Sequence, residues 1–513
     1  MKRTIAFAAL ALALAGSLAL ASPGQLAYVA TTTSADSTGA VFSPAVAEWQ
    51  FLSASTTPPT EAQCYSVGRR CFTPAAMANS YNYAALLAGG NQGQGKTIAV
   101  IDSYGSDTIR HDLHVFNQAF GLQAMCGEEG VTCAAGMPKF DTLNLQGTPA
   151  TKAPPPTSNG TGLEDKSAWA LEVSLDVEWA HSTAPKANIL LVTTPTAETL
   201  GVQGFPQMMS ALQYVVDNHL ADVVSMSFGA GEGTFHSGLA ALQQLRRGMI
   251  DAQANHVTLF ASSGDNGTAN TMKEPVKNPA LIPYPSVGWP ASDPLVTGVG
   301  GTYLCTDAVT GTGVDTTNPP SRCRPTLNPG LQRETGWVPS GGGYSILFTR
   351  PAFQNTLPAG STFVGSSVGA PGPNANMRGV PDIAYQASAT TGVLIYITLP
   401  PDGTSGLLCG TTACSTGWYD IGGTSASSPQ WAGLLAIADQ IAGRDLGYIN
   451  PGLYSVASNP AKYAADFFDV TANCNQIDPS IPGYCASQGW DAVTGLGTPN
   501  AAKLIPDLIA AVP

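Results

Sequence analysis

The strongest constraint on this chain is the alternation of short apolar runs with helical stretches between residues 97 and 264. TIAVID (97–102), ANILLVTT (187–194), ADVVSMSFG (221–229) and HVTLFASSG (256–264) each end in small or polar residues. Between them, RHDLHVFNQAFGL (110–122) and PQMMSALQYVVDNH (206–219) read as helices. Apolar runs of this length, separated by helices, are the strands of a parallel sheet covered on both faces. The expected fold class is therefore α/β, with a mostly parallel central sheet and helices on both faces. In such sheets the chemistry collects at the carboxyl ends of the strands, so the residues just after each run are the ones to search.

The first 21 residues, MKRTIAFAALALALAGSLALA, have a basic start, an apolar stretch and a small-x-small end, which predicts a secretory signal peptide. No later apolar run is long enough to span a bilayer. The protein is expected to be secreted and extracellular. Residues 22–70 are rich in Ala, Ser and Thr and are read as an N-terminal arm, with the folded domain over 71–513. Net charge is −13 and there is no basic cluster, which argues against nucleic acid and anionic membranes as partners. With few possible ion pairs, the composition permits work at low pH. Ten cysteines in an exported chain suggest disulfides, and local pairing of neighbours is the simplest connectivity, although sequence alone does not fix it. A zinc site is disfavoured by the lack of C-x-x-C and H-E-x-x-H.

YDIGGTSASSPQWAGLLAIADQIAG (419–443) is the most informative stretch. Gly422 and Gly423 allow a tight turn, Ser425 follows, Pro429 is read as part of the helix's first turn, and Trp431 to Ile441 is apolar nearly all round. A serine opening a buried helix faces free backbone N–H groups and a positive dipole end, which suit a developing oxyanion. An ordinary helix cap would explain an isolated serine here. The full G-T-S-x-x-x-P string resembles the nucleophile segment of subtilisin-like peptidases. Such a serine needs a base. Six histidines are present, and none lies in a His-Gly-Thr setting.

WALEVSLDVEWAHSTAPKANILL (169–191) offers carboxylates instead. Glu172 and Asp176 share a face if the segment is helical, with Cβ atoms about 6 Å apart. The strict apolar alternation from Trp169 to Trp179 also fits a strand, in which they would stand about 13 Å apart and could not form a relay. A buried helix with Ala168, Glu172, Asp176 and Ala180 as its small or acidic stripe is the reading adopted.

With E-x-x-x-D followed by A-P-x-A-x-I, the segment resembles the acidic helix of the sedolisin family of serine-carboxyl peptidases. Further similarity runs over most of 71–513, including CFTPAAMANSY, SMSFG, ETGWVPSGGGYSILFTRPAFQ and RGVPDIAY. The resemblance implies a subtilisin-like fold and an acid-acting enzyme that hydrolyses peptide bonds through an acyl-enzyme on Ser425. Glu172 would be general base and acid, Asp176 would orient it, and Asp265 would serve the oxyanion hole as a neutral carboxylic acid. Ser227, Phe228 and Gly229 would bind the substrate backbone by β-pairing. Asp102 holds a position where some members carry an acid linked to the catalytic network. Asp469 and Asp491, with the carbonyls of Val470, Ser487 and Gly489, would hold one structural Ca²⁺. Ser487 stands where glycine is frequent, and the large folded prodomain of the family has no counterpart in the arm.

The partners expected are protein or peptide substrates, for a monomeric enzyme. An endopeptidase is the first reading and a tripeptidyl-peptidase the second. A neutral enzyme using one of the histidines, and a catalytically inactive binding protein on this scaffold, are the rivals. A carboxylate base predicts a pH optimum below about 5, since a glutamate with a pKa of about 4.3 still accepts a proton there while histidine does not.

Overall fold

The fold is described from a computed structural model. It covers residues 48–145, 149–150, 162–195, 205–235, 237–271, 281–315, 323, 330, 332–358, 361, 367–368, 376–399, 408–409, 412–413 and 415–513. The stretch expected to be a signal peptide and the first half of the arm lie outside these residues.

The apolar runs form strands where the sequence places them. Thr97–Ser103 is central, with Asn188–Thr194 parallel on one side and Val223–Met226 parallel on the other. Phe140–Leu145 extends the sheet beyond Asn188–Thr194, and Thr258–Ser262 and Thr297–Leu304 extend it beyond Val223–Met226, all parallel. Ile383–Gln386 pairs parallel with Thr297–Leu304, while Glu334–Gly336 and Pro149–Ala150 add antiparallel ends. The sheet is therefore mostly parallel, with nine strands among the described residues.

Strand side chains alternate between two cores, as the pleat requires. Ile98, Val100, Ile189 and Leu191 pack with the Gly162–Thr183 and Thr424–Ala442 helices. Ala99, Ile101, Val224 and Met226 pack with the Phe205–Asp217 and Arg247–Ala254 helices. Helices thus cover both faces.

The segment with two possible periods is a helix, Gly162–Thr183. Every residue from Ala168 to Ala184 is buried. A helix buried on all sides has no polar face to mark a 3.6-residue period, which is why its text also read as a strand.

A second sheet of three strands holds Gly417–Gly422 between Val393–Ile397 and Glu48–Ser53, both antiparallel. The arm is thus not a bare tail from Glu48 onward. Trp49 and Phe51 alternate with polar residues, pack against the core, and give this piece of arm its β character. Disulfides join Cys64 to Cys71, Cys126 to Cys133, Cys305 to Cys323 and Cys474 to Cys485, all between sequence neighbours. The pairing of Cys414 lies outside the described residues.

Candidate active site

Ser425 is the second residue of the Thr424–Ala442 helix and is fully buried. Its N–H lies at the helix start, where no preceding turn offers it an acceptor, while the next N–H, that of Ala426, already donates to Gly423 O at 3.0 Å. The turn before it depends on two glycines. A Cβ on Gly422 would stand 2.2 Å from Ala389 N and 2.4 Å from Ala387 O. Gly423 has φ of +146°, where only glycine is comfortable. Its N–H donates to Ala387 O at 2.7 Å. Pro429 differs from the expected place: it is the sixth helical residue, so the helix lacks the hydrogen bond that residue 429 would have donated to the Ser425 carbonyl.

The helix carrying Glu172 and Asp176 runs alongside. A Cβ on Gly433 would stand 2.6 Å from Thr183 Cβ and 3.3 Å from Ala180 O, so the absence of a side chain there lets the two helices touch. Eight residues back from Gly433 is Ser425, and eight back from Ala180 is Glu172. Both steps are about 12 Å of helix. The Ser425 hydroxyl acts on the Glu172 carboxyl, so the second contact lies N-terminal to the first on both helices; they run in the same direction, with Ser425 level with Glu172 and one turn from Asp176.

The carboxyls of Glu172, Asp176 and Asp102 form one buried group, each fully inaccessible to solvent. Burial holds Glu172 well above the usual carboxylate range, and the charges of Asp176 and Asp102 push it further up, while the Ser425 hydroxyl pulls it down. That hydroxyl does not reach a closed hydrogen bond, since Ser425 Oγ and both Glu172 oxygens lack a partner at ordinary distances. Asp176 is raised by burial and by Asp102, and lowered by Ser227, whose Oγ–H contacts its two oxygens at 2.8 and 3.0 Å. Burial pushes Asp102 to about 8. No described Lys or Arg forms an ion pair with any of the three. Such a group keeps a proton among its members across the acid range, because two like charges cannot both be afforded in a dry site.

Asp265 comes from the turn after Thr258–Ser262. Its Oδ1 accepts from the Thr424 N–H at 2.8 Å and the Thr424 hydroxyl at 2.7 Å, and the Gly264 N–H donates to that hydroxyl at 3.1 Å. Asp265 thus caps the helix that bears Ser425 from a different segment. A Cβ on Gly341 would stand 2.1 Å from Ser263 O, and its N–H donates to Gly264 O at 2.7 Å, so Gly341 braces this turn from behind.

Ser227, Phe228 and Gly229 follow the Val223–Met226 strand without pairing to another strand among the described residues. The Ser227 side chain is committed to Asp176, and Phe228 is buried with its ring 6.0 Å from that of Phe205. Only the backbone of this segment could meet a substrate. Sequence reasoning missed Ser227 as the partner of Asp176. Its one signal was a serine at the carboxyl end of a buried strand.

None of the described histidines bonds to Ser425. His111 and His114 pair with Glu129 and Glu128, and the buried His181 ring meets Gln123 O at 2.9 Å. His236 lies outside the described residues.

The C-terminal acidic loop folds as one unit. Asp469 accepts from Tyr463 Oη at 3.0 Å and from the Gly489 N–H at 3.2 Å. Asp491 accepts from the N–H groups of Ser487, Val493 and Thr494 at 3.1, 2.8 and 2.8 Å. Val470 is buried beside them. Burial raises both carboxyls, Asp491 to about 7. The candidate ligand atoms are all oxygens, Asp491 is buried while Asp469 is open to solvent, and neither carboxyl forms an ion pair with a described Lys or Arg, so the set fits a hard cation. A second acidic group, Glu61, Asp307 and Asp315, has carboxylate oxygens within 4.8 Å of one another, but Asp315 already pairs with Arg70 at 2.6 Å.

A family model described as "Subtilase family" matches residues 159–446, more than half of the chain. The chain belongs to the subtilase family. That match contains Glu172, Asp176, Asp265 and Ser425. Within the subtilases it is a relative of the sedolisin and kumamolisin type. It is 28% identical to kumamolisin of Bacillus sp. (strain MN-32) over 88% of this chain and 66% of that protein. It is 29% identical to human tripeptidyl-peptidase 1 over 68% of this chain and 53% of that protein. The chain thus spans about half to two thirds of these relatives. Its fold is like that of a Pseudomonas sedolisin, a serine-carboxyl proteinase solved with pseudo-iodotyrostatin, with a TM-score of 0.58 and 24% identity over 85% of this chain and 98% of that one.

Proposed function

We propose that this subtilase is a secreted, acid-acting serine-carboxyl endopeptidase. One observation carries the reading: a buried serine at a helix start stands level with buried carboxyls, and no described histidine bonds to it.

In this mechanism the Ser425 Oγ attacks the scissile carbonyl carbon and its proton passes to Glu172. The carbonyl oxygen becomes an oxyanion, held by the Ser425 N–H and by a proton on Asp265. Ionised, Asp265 would repel it. The intermediate collapses as Glu172 returns the proton to the leaving amine. Water then attacks the acyl-enzyme as Glu172 takes its proton, and Glu172 returns that proton to the Ser425 Oγ as the ester C–O bond breaks and the carboxylic acid product leaves. Asp176 holds Glu172 in place and shares its charge, and Ser227 holds Asp176. Asp102 completes the shared group. The backbone of Ser227–Gly229 pairs with the extended substrate. Calcium at Asp469, Asp491 and the carbonyls of Val470, Ser487 and Gly489 would neutralise the two carboxyls, of which Asp491 is buried, and fix the C-terminal loop.

The test is casein digestion at pH 3–4 by the secreted protein beside Ser425→Ala. Fragments from the first and none from the second are expected. Equal digestion by both would remove Ser425 from the mechanism. An oriented peptide library read by mass spectrometry separates internal cleavage from release of N-terminal tripeptides.

A further inference from the structure

The Glu48–Ser53 strand plays no part in the mechanism above, yet it borders the segment that ends at the nucleophile. It lies antiparallel to Gly417–Gly422 with Glu48 opposite Gly422, Gln50 opposite Asp420 and Phe51 opposite Tyr419. Gly422 is three residues from Ser425. The arm also braces the other neighbour of that strand. The Arg70 N–H donates to Thr390 O at 2.9 Å and the Phe72 N–H to Gly392 O at 2.8 Å, just before Val393–Ile397.

A disulfide, two ion pairs and a ring contact hold the arm in this place. Cys64 is bonded to Cys71. Arg69 pairs with Glu48 at 3.2 Å, tying the strand to the loop that the disulfide closes. Arg70 pairs with Asp315 at 2.6 Å, with both side chains buried. Phe51 meets Tyr419 edge to face at 5.3 Å between ring centres. Tyr419 and its neighbour Trp418 are fully buried, so losing the strand would strip the cover from this side of the sheet.

We propose that Glu48–Ser53 is a retained strand of the catalytic unit, not a removable leader, and that it positions Ser425. This rests on the reading of Ser425 as nucleophile. The physical argument is short. Without the strand, Gly417–Gly422 keeps one partner, and a two-stranded ribbon is marginal by itself. The turn beyond it has no slack, because Gly422 is pressed against the Ala387–Ala389 backbone. A shift of about 1 Å at a reacting group costs up to about a hundredfold in rate.

Residues 54–57, between the strand and the Glu61–Ser66 helix, are exposed. A recognition site for a sequence-specific protease placed there allows the full-length secreted protein to be cut after folding. Before cutting, kcat and KM on a peptide substrate are expected to match the unaltered protein. After cutting and removal of the N-terminal piece, kcat is expected to fall by about tenfold or more with little change in KM. A synthetic peptide of residues 48–56 is expected to restore it. Unchanged kcat with the piece gone, confirmed by mass spectrometry, would overturn the proposal. If the cut piece stays bound, Phe51→Ala in the uncut protein decides. A lower kcat at unchanged KM and an unfolding midpoint well above the assay temperature supports the role, and an unchanged kcat overturns it. Should the uncut protein show no Ser425-dependent turnover, the nucleophile reading fails, and this inference falls with it.

Discussion

Ser425 must lose a proton to attack, and the groups level with it are acids whose own protons burial holds tightly. That pairing sets the residue-scale expectations. Ser425→Ala and Glu172→Gln should each lower kcat/KM by about 10³-fold or more while leaving the melting temperature nearly unchanged, measured on one peptide substrate. Ser227→Ala removes the hydroxyl that lowers the Asp176 pKa. The acid limb of the pH–rate profile should then move to higher pH, with kcat reduced; an unmoved limb would separate Ser227 from the proton relay. The glycine-serine turn and the E-x-x-x-D pair were legible in the sequence because glycines and carboxylates stand out in apolar text. The contact of Ser227 with Asp176 was not, because it depends on how a strand and a helix 51 residues apart come to rest.

Two parallel helices and two glycines align the parts. Gly433→Ala places a methyl group 2.6 Å from Thr183 Cβ, so one helix must shift. We expect a loss of about 1–3 kcal/mol of stability by denaturant unfolding, together with a reduced kcat, because the shift separates Ser425 from Glu172. At this scale the parallel strands were readable, since each is apolar over its length and ends in small residues. The Gly162–Thr183 helix was ambiguous for a physical reason: its burial on all sides from Ala168 onward erases the polar face that marks a helical period. The Glu48–Ser53 strand went unread as a strand because its alternation is short and lies in Ala-, Ser- and Thr-rich text.

The whole molecule carries its acid character in buried groups that titrate far from their usual range. Asp102 and Asp439 are pushed to about 8 and Asp112 to about 6, in each case chiefly by burial. Each binds its proton more tightly folded than unfolded. Their contribution is fully present below about pH 4 and is lost as pH rises through those raised values. His181 runs the other way. Burial lowers it to about 4, so its contribution is present above about pH 6.5 and is lost as pH falls toward 4. The melting temperature should therefore peak in mildly acid buffer and fall on both sides, and His181→Gln should flatten the acid side. Calcium belongs at this scale too. A chelator should lower the melting temperature of the wild-type protein, and Asp469→Asn should lower it to a similar degree and remove the chelator's effect.

The central claim is that the proton of Ser425 goes to a carboxyl group and not to a histidine. The pH dependence of kcat/KM on a single peptide tests it most directly. We predict a maximum below about pH 5, with activity falling toward neutrality as the buried carboxyls lose the proton that they share. A profile that rises through neutrality to a maximum at about pH 8, as a base with the pKa of histidine gives, would contradict it.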